Sequence, residues 1–188
     1  MSSPAHIRGL HHFAWRCRDA EETRHFYEDL MGLPLVHVVK ESIVPSTGEH
    51  CPFVHLFFQF ADGSHIAFFD LGDNQATVPD PQTPAWVNHF AMEVSSAEEL
   101  DRWQQHLTAA GIAVVGQTDH HFIRSIYFTD PNGIRLELTA RMPVAEYVAA
   151  HRASARADLA QWTADKAAGL RPGETGTSSA ARATAPHP

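Results

Sequence analysis

Short stretches suited to strands give way to segments with helix start and stop signals, and the change happens twice along this chain. The pattern predicts strands over residues 9–17, 35–39, 54–60 and 65–71, then over 87–94, 113–115, 124–129 and 134–139. After the first strand of each set a helix is expected. Asp19 with Glu22, and Ser96 with Glu99, have the spacing of capping boxes, while Gly32 and Gly111 supply the stops. A shift of 77 residues lays His12, Phe13 and Ala14 on His89, Phe90 and Ala91, and Ala20, Glu21 and Glu22 on Ala97, Glu98 and Glu99. The halves therefore read as two copies of one β-α-β-β-β module. An open sheet of this kind leaves one face unburied. Two modules side by side would curve their sheets into a shared cup with the helices outside, an α+β fold. One domain is expected over residues 1–142, with modules at 7–73 and 85–142 joined by a proline-containing linker at 74–84. Residues 40–52, with Pro45, Gly48 and Pro52, predict a long irregular loop. A C-terminal helix is expected over 143–168, with Tyr147, Val148, Leu159 and Trp162 as its apolar residues, followed by a disordered tail at 169–188.

Composition narrows the function classes more than it names one. With 188 residues, 44% of them hydrophobic, the chain suits one domain or two small halves sharing a core. It has no apolar run of membrane-spanning length and no signal-peptide pattern at its start, so a cytoplasmic location is expected. Two cysteines, Cys17 and Cys51, are too few for a disulfide framework. The formal charge of −8, with no basic patch, argues against nucleic acid as a partner. Fourteen histidines are many, but only their placement bears on function.

Asp130, Pro131, Asn132 and Gly133 form a turn signal between two strands, with Asn-Gly suited to positive backbone angles. Alternation then puts Ser125, Tyr127 and Thr129 on one side of the first strand, and Arg135, Glu137 and Thr139 on one side of the second. Glu137 lies between Leu136 and Leu138, and a carboxylate buried there needs a hydrogen-bonding or metallic partner. His12 and His89 occupy equivalent points near the starts of equivalent strands, each followed on the same face by a small residue, Ala14 or Ala91. Two histidines and one carboxylate make up the facial triad that holds non-haem Fe(II). In the first module the strand equivalent to that of Glu137 presents His65, Ala67 and Phe69 on this face, with no carboxylate, while Asp70 has the wrong parity. Parity also favours His12 over His11 and His120 over His121, although a bulge would exchange the latter pair.

From about residue 7 to 140 the chain resembles the vicinal oxygen chelate superfamily. Thr118, His120, the Ile126-Tyr127 pair, the turn Asp130–Gly133 and Glu137 further resemble the signature of type I extradiol ring-cleaving dioxygenases. That resemblance implies an enzyme that inserts O2 into a catecholic ring at Fe(II), with Mn(II) as an alternative ion. It implies His12, His89 and Glu137 as metal ligands, His120 as an active-site histidine and Tyr127 as a substrate contact. His65 falls near the position of an acid/base histidine. The expected partners are a small catechol and O2, and the expected assembly is a homodimer. Two other functions suit the same fold: another metal-dependent enzyme such as a glyoxalase-like isomerase or lyase, and a metal-free protein that sequesters an aromatic drug.

Overall fold

The computed structural model describes residues 7–169. In chain order the elements are β1 (His12–Arg16), α1 (Ala20–Arg24), β2 (Leu35–Ile43), β3 (His50–Gln59), β4 (His65–Asp70), β5 (Phe90–Val94), α2 (Ala97–Ala109), β6 (Val115–Asp119), β7 (Ile123–Thr129), β8 (Arg135–Arg141) and α3 (Ala145–Ala167). Helix α1 continues without a break into a wider π-wound segment, His25–Leu30. Asp19 and Ser96 cap the two module helices, each side chain accepting from the backbone N–H of the glutamate three residues on. No described helix is long and apolar enough to cross a membrane.

The strands form two hydrogen-bonded sheets of four, ordered β1-β4-β3-β2 and β5-β8-β7-β6, and not one continuous sheet. Their registers are equivalent. Ala14 pairs with Ala67 across the parallel strands β1 and β4, and Ala91 pairs with Glu137 across β5 and β8. Residues 40–52 depart from the expected loop. Most of them extend a β2–β3 hairpin, in which Lys40 pairs with Val54, Glu41 with Phe53 and Ile43 with His50. Only the connection around Pro45 and Gly48 is a turn, closed by a 2.8 Å bond from the Gly48 N–H to the Val44 carbonyl. The ladder slips between Glu41 and Ile43, opposite Pro52, where a residue without an N–H is tolerated. Strand β6 also lies later than expected. Its pairing with β7 skips between Val115 and Thr118, and a side chain at Gly116 would come within 2.6 Å of Ile126.

Each sheet buries one face under its module helix. Tyr27, Phe58, Ile66 and Phe68 from the first half join Leu100, Leu107, Ile126 and Leu136 from the second in one core cluster. Polar bonds tie the halves together at the β7–β8 turn. The buried Tyr27 hydroxyl donates to Asp130 Oδ2 at 2.9 Å, and the Arg18 N–H donates to Asn132 Oδ1 at 2.8 Å. In that turn only Gly133 takes a positive φ, +82°. Asn132 contributes hydrogen bonds instead, its backbone N–H reaching Asp130 Oδ1 at 2.9 Å. The chain divides into two compact units, 1–141 and 142–188. The second consists, in its described part, of α3, which buries no residue. Residues 170–188, nearly all of the tail expected to be disordered, lie outside the described residues.

Candidate active site

The face of the second sheet away from its helix carries the clearest chemistry. Glu137 is only 3% exposed, and Ser125 of the neighbouring strand donates its hydroxyl to Oε1. The other oxygen, Oε2, stands 3.0 Å from His89 Nε2. The Nδ1 of His89 lies 3.0 Å from the Val87 carbonyl, a contact that places the ring proton on Nδ1. The Nε2 lone pair then faces a carboxylate oxygen. Two electron-rich atoms at this distance need a proton or a cation between them. The donor types, an imidazole nitrogen and a carboxylate oxygen, suit a divalent ion, and the carbonyl behind the imidazole is the kind of support a metal-binding histidine uses.

Tyr127 lies beside the pair, directly across the ladder from Glu137. Its hydroxyl is 2.7 Å from His120 Nε2. Burial, reinforced by the charge of Glu137, raises the phenol's pKa, so it stays a proton donor at neutral pH. His120 is thus joined to Tyr127 across the β6–β7 connection. His121, with φ +70°, makes the irregular bend that leaves His120 in this position.

His12 and His65 lie elsewhere, on the first sheet. His12 Nδ1 is 2.7 Å from His11 Nδ1, and its ring packs against those of His55 and Phe57. His65 Nδ1 is 3.1 Å from the His11 carbonyl, and its Nε2 is 3.4 Å from Gln59. Among the described residues, no three His, Cys, Asp or Glu side chains stand together so as to hold a metal within one chain. His89 and Glu137 meet; His12 does not join them.

Three side chains on these faces, two of them already placed there by strand parity, have contacts to which the sequence pattern assigns no role. Ser125 holds Glu137. His55 is 9% exposed, stacks on Phe69 with ring centroids 3.6 Å apart, and has a buried Nε2 without a hydrogen-bond partner. Arg135 carries its guanidinium over the Tyr127 ring, 4.4 Å from the centroid, and its buried Nε also lacks a partner. Strand parity was the available signal for Ser125 and Arg135, since both share a face with Tyr127 or Glu137.

Residues 9–138 match the Glyoxalase/Bleomycin resistance protein/Dioxygenase superfamily. A 57-residue segment is 33% identical to the "Putative ring-cleaving dioxygenase MhqA" of Bacillus subtilis (strain 168), and it covers 30% of this chain but only 18% of that protein. Among solved structures, a glyoxylase/bleomycin resistance protein/dioxygenase domain from Frankia sp. EAN1pec aligns with a TM-score of 0.59 at 16% identity, over 73% of this chain and 100% of that one. A mutant of the fosfomycin resistance protein FosX from Listeria monocytogenes, in complex with Mn(II) and 1S,2S-dihydroxypropylphosphonic acid, aligns at 0.55 and 21%, over 76% of this chain and 99% of that one. These likenesses concern the fold. With paired four-stranded modules in equivalent register and a match across both, the chain belongs to the Glyoxalase/Bleomycin resistance protein/Dioxygenase superfamily.

Proposed function

We propose that this protein is an Fe(II)-dependent extradiol dioxygenase that opens a catecholic ring. The observation that carries this reading is the opposed pair of His89 Nε2 and Glu137 Oε2 at 3.0 Å, beside a protonated tyrosine. His89, Glu137 and His12 would hold the ion, with Mn(II) as the alternative occupant. When bound by these residues, a ferrous ion would supply the means of bringing a catechol and O2 together. Tyr127 then donates a hydrogen bond to a substrate oxygen, while His120 fixes the phenol's direction and exchanges its proton. His65 is the candidate for taking the second hydroxyl proton.

Because His12 stands apart from the pair within one chain, the third ligand is assigned to a second copy. His12 and Ala14 are exposed on β1, as are His89 and Ala91 at β5, so the two open faces are free to meet. The corner equivalent to Glu137 supports a three-ligand site. Ala67 occupies it, fully buried and without a donor atom, which speaks against an isomerase-type site with a carboxylate from each module. A cytoplasmic location suits the free thiols of Cys17 and Cys51.

The test is anaerobic reconstitution with Fe(II), followed by air and a panel of substituted catechols. Yellow ring-fission product is expected. Stoichiometric iron with no oxygen uptake on any catechol would instead favour another metal enzyme of the fold, and ligand binding without metal would favour sequestration.

A further inference from the structure

Arg135 has a charge that the proposed reaction does not use. Arg16, Arg18, Arg24, Arg102 and Arg141 each pair with a carboxylate. Arg135 does not. Its guanidinium rests on the face of Tyr127, and its Nε–H is buried without an acceptor. A buried donor left unsatisfied is costly, and a guanidinium is shaped to receive two carboxylate oxygens at once. The residue shares a face with Glu137, its Cα about 6.6 Å along the strand from that of Glu137, and its guanidinium lies over the ring of Tyr127, which pairs with Glu137 across the ladder. Arg135 also lines a neighbouring cavity of about 350 Å³, walled by Trp15, Asn88 and the linker between Thr77 and Ala85, to which His89, Tyr127 and Glu137 do not contribute. The Asp80 carboxylate in that wall is already bonded to the Gln82 N–H and the Thr83 hydroxyl, so it does not claim the arginine. In the first module, the β4 position that pairs with the first histidine is His65; the equivalent β8 position is Arg135. The second module thus has a fixed cation where the first has a titratable ring.

We infer that Arg135 selects substrates bearing a carboxylate on the aromatic ring, by receiving that group while the ring lies over the His89–Glu137 pair. The inference rests on the proposed catechol site. In full-length protein loaded with Fe(II) under anaerobic conditions, calorimetric titration should show 3,4-dihydroxybenzoate binding more tightly than catechol. Arg135→Gln should weaken the carboxylated ligand about 10- to 100-fold, leave catechol within about 2-fold and retain iron. Arg135→Lys should recover part of the loss. No preference in the wild-type protein, or an equal loss for both ligands in Arg135→Gln, would overturn the assignment. Failure to bind Fe(II) would strike the dioxygenase reading alone. Metal-free protein titrated with benzoate and benzamide then decides the arginine's role, which stands only if benzoate is preferred and Arg135→Gln removes the preference.

Discussion

Burial and its two histidine neighbours, His12 and His37, pull the His55 imidazole down to about 4 from an ordinary value of 6.5, so the ring is neutral at physiological pH. Between those values the unfolded chain takes up a proton that the folded chain refuses. Stability therefore falls as pH drops through this window, by roughly 3 kcal/mol in all. Chemical denaturation of the wild type at pH 7 and pH 4, beside His55→Phe, checks this. The phenylalanine variant should lose less on acidification and should be at least as stable at pH 7, because it removes an unpartnered buried nitrogen. In the proposed site, Glu137→Ala should release iron, measured by metal analysis after desalting. Tyr127→Phe should keep the iron and lower kcat about 100- to 10,000-fold, the range for losing a positioned proton donor. The sequence made Glu137 and Tyr127 legible because a fixed turn sets their spacing and strand parity sets their face. His55 was not legible. Only the Phe69 ring stacked on it and its missing partner distinguish it from any other strand histidine.

At the scale of elements, helix starts were read most easily because a cap is a local bond. Asp19 Oδ1 accepts from the Glu22 N–H at 2.7 Å, so Asp19→Ala should cost about 1 kcal/mol and lower Tm by roughly 2–4 °C in a thermal melt. The sense of each strand was legible for a similar reason, since alternation alone fixes which residues share a face. Extents were harder. Pro45, Gly48 and Pro52 signal a loop, yet β2 runs to Ile43 and β3 begins at His50, because a slip in the ladder takes up the proline. Strand β6 shows the opposite difficulty: the apolar residues that drew attention, near 113–115, precede the polar stretch Val115–Asp119 that forms it. In both places pairing with a neighbouring strand decided the outcome, and that neighbour is distant from the local pattern. The meeting of Tyr27 with Asp130 is equally non-local, joining residues 103 apart.

For the whole molecule, the proposed site draws ligands from two modules, and the repeat leaves open whether they belong to the same chain. The first sheet presents His12 and the second presents His89 with Glu137; if one chain holds only two of the three donors together, the active unit is at least a pair of chains. This can be separated from an intrachain site by complementation. His12→Ala lacks the first module's ligand, and Glu137→Ala lacks the second module's. Each should be inactive alone. If ligands come from opposite copies, a mixed dimer contains one site that is broken twice and one that is intact. Random reassociation of equal amounts would then restore about a quarter of the wild-type iron and ring-cleaving activity per chain. A site built within each chain predicts no recovery, since every chain carries a broken ligand set. The measurement is iron content and oxygen uptake of the two variants, unfolded and refolded together, against each refolded alone. Recovery near a quarter would establish the exchange of ligands between copies; the absence of any recovery, with dimers present by light scattering, would return His12 to its own chain's site and require the first sheet to move toward Glu137 when metal binds.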